Sequence, residues 1–289
     1  MKSYRNMRIV RGMLLAVMMA CLIPLGQACH SSFRQQQQEK ALKELREMVE
    51  PEPLDIVSES EVLEAGGGPQ EADAPPENLQ TETQAPPPLL EKYVALYEEN
   101  QDLIGWLSIE GMVIDYPVMQ CEDDEHYLHH DFYGNESKYG CLYVRSVADV
   151  NTPGTNFIIY GHNMKDGSMF GDLDLYRRES FYREHPTISF DTLYEERIYE
   201  VIAVFRSQVY HTEEDAFKYY QFYDAQTREE FDYFYENIRE LSLYDTGVTA
   251  QFGDTFLTLS TCAYHVEDGR FVVVARAVPP ENRNFVKET

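Results

Sequence analysis

Short apolar runs bounded by turn-forming or charged residues dominate the C-terminal part of the chain and predict β-strands. Glycine, proline and asparagine recur between these runs, as is typical of strand connections. We expect the strands to form a mostly antiparallel β-barrel with inserted helices. The eight predicted strands cover residues 104–109, 112–119, 140–147, 155–160, 187–191, 197–206, 256–261 and 271–278.

Three segments instead carry apolar side chains at helical spacing. Residues 89–102 are predicted to form a helix at the N-terminus of the barrel, and the apolar positions within residues 31–50 predict a separate short helix. Residues 227–242 predict an inserted helix, because Thr227 and Glu230 make a capping box ahead of an amphipathic stretch. That stretch repeats its apolar side chains at Phe231, Phe234, Tyr235, Ile238 and Leu241.

An uncharged apolar segment over residues 12–29 follows a flank that carries four cations and no acid. Such a segment inserts into a membrane with its basic flank in the cytoplasm. Residues 1–30 are therefore predicted to be a cytoplasmic flank and signal anchor of a single-pass cell-membrane protein. A cleaved signal peptide is the alternative, since 18 residues lie between the lengths typical of the two segments. Lipidation of Cys29 is less favoured, because no large apolar residue stands three positions before it.

Composition changes after the first predicted helix. Residues 51–88 are rich in proline, glycine and acids and contain no aromatic residue, so they cannot bury enough surface to offset their ordering entropy. We interpret residues 31–88 as a juxtamembrane helix followed by a disordered acidic stalk. Residues 89–289 hold the only tryptophan and nearly all the tyrosines, and are long enough for one domain with a real core.

Charge excludes one large class of function. The chain has 289 residues with 24 Lys and Arg against 50 Asp and Glu, a net charge of −26. A nucleic-acid-binding protein needs a basic face to neutralise phosphates, and no basic stretch of this kind occurs beyond the N-terminal flank. Five cysteines are also too few for a disulfide-rich scaffold.

Candidate chemistry lies where predicted strands end. Cys262 closes the strand 256–261, and Arg270 opens the next after seven residues, so an antiparallel pair would bring both to one rim of the sheet. A guanidinium beside a thiol favours the nucleophilic thiolate. His162 follows the strand 155–160 and offers a proton shuttle. Each also has a plain structural interpretation: a buried thiol, a loop imidazole and a solvated edge charge.

The sequence Thr-Leu-Ser-Thr-Cys at 258–262, with Arg-Phe-Val-Val-Val-Ala-Arg at 270–276, resembles the active-site strand pair of sortases. The inserted helix at 227–242 resembles the class B elaboration of that family. Together with the five segments given next, these cover roughly all of residues 89–289. Further class B resemblances follow in order at Gly-Trp-Leu-Ser-Ile 105–109, Ile-Asp-Tyr-Pro-Val 114–118, Tyr-Leu-His-His-Asp-Phe 127–132, Ile-Tyr-Gly-His-Asn-Met 159–164 and Ser-Met-Phe-Gly-Asp-Leu 168–173.

The resemblance implies an eight-stranded sortase barrel and a membrane-anchored, extracytoplasmic cysteine transpeptidase of a Gram-positive-type bacterium. Such an enzyme cleaves a protein sorting signal through an acyl-thioester and transfers it to a cell-wall peptide amine, with no metal or organic cofactor. By the same resemblance Cys262 is the nucleophile, His162 the acid and base, and Arg270 the oxyanion partner. Leu128 and Ser260 match positions near the bound signal.

The sequence departs from the family pattern at 140–145, where Arg145 stands in place of an acid that many class B members carry. The amine acceptor stays open between a peptidoglycan precursor and a pilin lysine. A catalytically inactive binding protein with the same fold is a second alternative. We expect Cys121 and Cys141 to be free thiols, because their spacing gives no reason to pair them.

The cysteine and histidine residues also bear on two other kinds of site. A papain-type site is disfavoured, because that arrangement places the cysteine before the histidine and at a helix N-terminus, whereas Cys262 comes second and follows a strand. A zinc site would have to use a histidine cluster that lacks paired cysteine spacing. Its candidate ligands are His126, His129, His130, His162 and Cys262.

Overall fold

The computed structural model describes residues 32–49, 87–150, 153–264 and 266–283, and the chain divides into two units at residue 50. In the first unit, residues 32–49 form a helix, α1. The predicted anchor at 1–30 and residues 51–86 of the predicted stalk lie outside the described residues. Within the four described ranges, no helix has the length and apolar character needed to cross a membrane.

The second unit is built on eight strands that close into a barrel in the order β1-β2-β3-β4-β7-β8-β6-β5, which confirms the predicted fold class. The strands are β1 Leu103–Ser108, β2 Asp115–Met119, β3 Leu142–Tyr143, β4 Asn156–Gly161, β5 Thr187–Thr192, β6 Ile198–Gln208, β7 Phe256–Cys262 and β8 Gly269–Ala277. The helices of this unit are α2 Glu91–Glu99, α3 His126–His129, α4 Glu179–Glu184 and α5 Arg228–Leu241.

Two of the strand pairings are parallel, and one of them positions the site. β2 with β3 and β4 with β7 run parallel, whereas the other pairs are antiparallel. In the β4–β7 pair Gly161 stands beside Thr261, so both strands end at the same edge of the sheet. The residues that follow these strands, His162 and Cys262, therefore belong to one rim of the barrel.

α5 covers one face of β6, β7 and β8. The predicted capping box is confirmed, because Thr227 accepts a hydrogen bond from the Glu230 amide and Glu230 accepts one from the Thr227 amide. The buried side of this helix packs on β-strand residues of the same cluster. Fully buried members of that cluster include Phe231, Phe234 and Ile238 from the helix and Phe256, Val272 and Val274 from the strands.

The predicted strand 140–147 is wrong in length, since only Leu142–Tyr143 pair as a strand. Gly140 has φ +58°, and a Cβ there would lie 2.3 Å from the Tyr127 carbonyl oxygen, so this residue turns beside α3 instead of extending. The predicted helix 89–102 is likewise shorter, because Asn100 leaves the helix with φ −144°. Periodicity did not reveal α3 or α4, which have only four and six residues.

Candidate active site

Cys262 and Arg270 are directly opposed partners in the antiparallel β7–β8 pair, as the sequence predicted. Opposed residues of an antiparallel pair point to the same face, with Cβ atoms about 4.5–5.5 Å apart. Cys262 is exposed at the end of a strand whose preceding six residues are all buried. Nη1 of Arg270 donates to the carbonyl oxygens of Asp268 (3.1 Å) and Gly269 (3.0 Å), so its own hairpin holds the guanidinium.

His162 follows β4 and is held through its ring. Nε2 lies 2.8 Å from the Leu128 carbonyl oxygen. A carbonyl only accepts hydrogen bonds, so we assign the proton of this bond to Nε2. The other ring nitrogen, Nδ1, takes no part in this bond. The residue before His162 is glycine because its neighbours leave no room for a side chain: a Cβ on Gly161 would lie 2.5 Å from Leu142 and 2.7 Å from Phe170.

A short turn after His162 brings residues 169 and 170 back beside residues 162 and 163. The Phe170 amide donates to the His162 carbonyl oxygen over 2.9 Å, and Asn163 forms a β-bridge with Met169. Met169 is almost fully buried and adopts φ +53°, an uncommon backbone conformation for a residue other than glycine. Asn163 in turn donates from Nδ2 to the Cys262 carbonyl oxygen over 2.7 Å. The turn thus links the histidine strand to the cysteine strand.

A cavity of about 450 Å³ opens beside these residues. Within it, Ser260 is 1% exposed and its Oγ lies 2.7 Å from Oη of Tyr219, which fixes both hydroxyls. Burial raises the pKa of Tyr219, although its hydrogen bond with Ser260 acts in the opposite direction. The cavity is lined by Leu128, Tyr143, Arg145, Tyr160, Gly161, His162, Val209, Tyr219, Tyr220, Ser260, Thr261, Cys262 and Arg270.

One wall of the cavity comes from the short β3–β4 pair. Tyr143 stands opposite Tyr160 in that pair, and the two rings stack with centroids 5.6 Å apart. Burial raises the pKa of Tyr143 to about 12, so this phenol is neutral at physiological pH. Arg145 follows β3 and donates from Nε to Oδ2 of Asp124 over 2.9 Å, and this hydrogen bond raises the pKa of Arg145.

The structure brings all five residues singled out from the sequence to this one cavity: Leu128, His162, Ser260, Cys262 and Arg270. Sequence reasoning missed the aromatic wall and Arg145 as lining residues, because no strand periodicity shows which outward side chains face one another. It also missed the link from Asn163, which lies next to His162 in the quoted motif. His265, a second histidine close to Cys262 in sequence, lies outside the described residues.

The thiols of Cys121, Cys141 and Cys262 are free, which agrees with the expectation for the first two. Cys141 is buried, and this burial raises its pKa, so it is a poor nucleophile compared with an exposed thiol. In the described part of the chain, no three His, Cys, Asp or Glu side chains are grouped so that they could hold a metal ion.

The molecule is a closed eight-stranded barrel with cysteine, histidine and arginine at neighbouring strand ends. The family model for the sortase domain matches residues 107–278, more than half of the chain, and the chain belongs to the sortase family. Within that family it is a class B sortase, and sortases of this family are cysteine transpeptidases.

Similar proteins support the class assignment. Sortase B of Listeria monocytogenes is 34% identical over 190 residues, which cover 63% of this chain and 72% of that protein. A crystal structure of sortase B from B. anthracis in complex with AAEK1 superposes with TM-score 0.65 at 29% identity, covering 85% of this chain and 98% of that one. A Staphylococcus aureus sortase B-substrate complex has TM-score 0.60 and 27% identity, covering 66% and 87%.

Proposed function

We propose that this protein cleaves a protein sorting signal through an acyl-thioester on Cys262 and transfers the acyl group to a cell-wall peptide amine. The observation that carries the proposal is the meeting of Cys262, His162 and Arg270 at one cavity of about 450 Å³. A thiol, a proton shuttle and a fixed cation are what acyl transfer from an amide to an amine requires. A similar sortase B, from Staphylococcus aureus, has been solved as a substrate complex, which supports substrate binding by this fold.

In the first half-reaction the Cys262 sulfur attacks the carbonyl carbon of the scissile peptide bond. The carbon–sulfur bond forms, the carbon–nitrogen bond breaks, and His162 supplies the proton that the leaving amine takes up. Because Nε2 is bound to the Leu128 carbonyl oxygen, Nδ1 is the nitrogen that makes this transfer. The N-terminal part of the sorting signal remains on the sulfur as a thioester.

In the second half-reaction an amine attacks the thioester carbonyl. His162 accepts the proton of the attacking amine, the carbon–sulfur bond breaks, and Cys262 returns as a thiolate. The new amide bond joins the signal to its acceptor, and no redox change or co-reactant is needed. A peptidoglycan precursor is our proposed acceptor, and a pilin lysine amine satisfies the same chemistry.

Arg270 stabilises negative charge in both steps. It stands opposite Cys262 on the adjoining strand, and Nη1 is already held by two backbone carbonyls of the hairpin. A guanidinium fixed in this way meets a developing oxyanion without having to reorganise. Leu128 positions His162 through its carbonyl, and Ser260 lines the cavity beside Tyr219.

The location of the enzyme completes the proposal. Residues 1–30 hold the chain in the cell membrane with the N-terminus in the cytoplasm, and residues 31–88 carry the domain at 89–289 outward. The charge pattern supports this orientation, since the four basic residues of the flank precede the uncharged segment 12–29. Surface proteins that bear a sorting signal and wall precursors near the membrane are the expected partners.

The test is mass spectrometry of the full chain incubated with candidate sorting peptides and amine acceptors. We expect an adduct on Cys262 with the mass of the N-terminal peptide fragment, followed by a product that joins this fragment to the amine. Cys262→Ala should give neither, whereas Cys121→Ala, which removes a half-buried thiol outside the cavity, should give both. Transfer by Cys262→Ala would contradict the assignment.

A further inference from the structure

Arg145 reaches the same cavity as Cys262 but takes no part in the proposed acyl transfer. Its Nε is bound to Oδ2 of Asp124, and the other oxygen of that carboxylate accepts the Ser146 amide over 2.6 Å. This arrangement fixes one edge of the guanidinium. Among the described residues, Nη1 and Nη2 make no hydrogen bond, so the opposite edge is available to a ligand in the cavity.

A second donor belongs to the lining of the same cavity. Oη of Tyr160 is buried and has no hydrogen-bond partner among the described residues, and Tyr160 lines the cavity. Oη of Tyr223 is also buried without a hydrogen-bond partner among the described residues. Both phenols interact electrostatically with Arg145. Burial raises the pKa of Tyr160, so the phenol keeps its proton at neutral pH and is a donor. A buried hydroxyl without a partner carries a desolvation cost that an acceptor would remove.

The donors define the chemistry of the ligand. A guanidinium edge offers two parallel N–H groups that match the two oxygens of a carboxylate, and a phenol adds a third hydrogen bond. Asp124 already offsets part of the positive charge of Arg145, so a single negative charge is favoured over a dianionic phosphate. The other fixed cation that lines the cavity, Arg270, belongs to the proposed reaction centre.

We propose that Arg145 and Tyr160 form a subsite that binds a carboxylate group of the substrate. This inference rests on the proposed function and adds to it a preference in substrate chemistry. The carboxylate has two sources, which share this chemistry: an acidic side chain of the sorting signal, or a carboxylate on the amine acceptor. The subsite is a binding element, so its loss acts on substrate selection and leaves the cysteine chemistry intact.

The first experiment needs no turnover. Cys262 of the full chain is alkylated by N-iodoacetylglycine and, in parallel, by N-iodoacetylglycinamide, which lacks the carboxylate; in both, the thiolate displaces iodide. Mass spectrometry of the Cys262 peptide gives the acid-to-amide rate ratio. Charge-assisted hydrogen bonds to a carboxylate are about twice as strong as neutral ones, so we expect Arg145→Gln to lower this ratio about tenfold.

Two further variants make the measurement specific. Arg177→Gln is the matched control, since Arg177 also pairs with an aspartate and has a similar exposure, 49% against 47% for Arg145, but lies outside the cavity. Its rate ratio should equal that of the natural chain. Tyr160→Phe should lower the ratio severalfold while the melting temperature stays the same or rises, because it removes a buried hydroxyl that has no partner.

The second experiment distinguishes the two sources. One arm compares transfer of sorting peptides in which each position in turn is Glu or Gln. The other compares Nα-acetyl-lysine with Nα-acetyl-lysine amide as the acceptor. In the arm whose carboxylate the subsite binds, the acid should have a KM about tenfold lower than the amide. In Arg145→Gln this difference in KM should disappear while kcat stays unchanged.

The outcomes separate this inference from the proposed function. If the natural chain transfers peptides but its rate ratio and both arms are the same in Arg145→Gln, the subsite is wrong and the transpeptidase proposal stands. If no peptide forms a thioester or a product, the proposed substrates are wrong, and the alkylation ratio still reports on the subsite. An unchanged alkylation ratio in Arg145→Gln overturns the subsite in either case.

Discussion

The side chain of Asn163 donates a hydrogen bond to the carbonyl oxygen of Cys262 over 2.7 Å, so the residue after the histidine is tied to the cysteine. The two residues are 99 positions apart in sequence and meet because β4 and β7 run parallel and end at the same edge. The bond holds the backbone at the strand end, where Cys262 is the first exposed residue of β7. Asn163 is therefore a positioning residue for Cys262, the proposed nucleophile.

Asn163→Ala tests this relationship. We expect kcat to fall about tenfold with little change in KM, because a small displacement of the nucleophile affects the reacting geometry more than it affects peptide binding. Steady-state transpeptidation over a range of peptide concentrations separates the two constants. Asn237→Ala, which removes a half-buried helical asparagine bound to the Tyr233 carbonyl outside the cavity, is the control and should change neither constant. A rise in KM alone would show that Asn163 binds peptide instead.

Arg270→Lys keeps the charge and removes the guanidinium. We expect a folded protein whose turnover falls roughly 100-fold, the scale of losing one fixed oxyanion donor, since an ammonium cannot keep two carbonyl contacts and still reach the substrate. The measurement is steady-state transfer, with circular dichroism as the check on folding. Arg206→Lys, an exposed position on the adjoining strand β6, should be fully active. Near-normal rates for Arg270→Lys would reject the oxyanion role.

His162→Gln probes the proton transfers. General acid and base catalysis typically contributes about 10²–10⁴-fold, and we expect turnover to fall by that amount while glutamine still donates to the Leu128 carbonyl oxygen. His185→Gln is a matched control, because its Nδ1 lies 2.8 Å from the Glu110 carbonyl and it does not line the cavity. The reverse ranking of the two variants would overturn the assignment to His162.

Thr227→Ala removes the N-terminal cap of α5, the helix that covers the outside of β6, β7 and β8. The free energy of unfolding should fall by about 1 kcal/mol, because the Glu230 amide loses its side-chain partner. Urea unfolding followed by circular dichroism measures the change. Thr212→Ala, at an exposed threonine outside the helix, should change stability by less than about 0.5 kcal/mol. Equal stability of the two variants would contradict a stabilising role for this cap.

A chain that begins at Leu89 tests the division between stalk and domain. It retains α2 and the contacts that join this helix to β5 and the following turn, including the 2.8 Å bonds from Tyr93 to Asp191 and from the Leu90 amide to Leu193. We expect it to be soluble, folded and as active in peptide cleavage as the full chain. A folded but inactive product would show that residues before Leu89 contribute to catalysis.

Strand prediction from the apolar pattern is correct where the side chains of the strand itself favour extended, buried backbone. β7 and β8 are long runs of apolar and β-branched residues, which favour a buried strand over a helix or a loop. Because a short connection joins them, they can pair only antiparallel, and the predicted proximity of Cys262 and Arg270 is confirmed. The strand predicted over 140–147 is too long, because its two ends are shaped by residues distant in sequence. Gly140 adopts a positive φ beside Tyr127, and Arg145 binds Asp124.

By itself, the sequence determined the fold class, the capped helix α5 and the candidates Cys262, His162 and Arg270, because these depend on local periodicity, short connections and motif resemblance. Only the tertiary structure decided that Nε2 of His162 is committed to the Leu128 carbonyl and that Asn163 holds Cys262. It also decided that Arg145 and Tyr160 share their cavity. Barrel closure creates such contacts between residues that are far apart in the chain, and a periodic pattern carries no information about which outward side chains it will join.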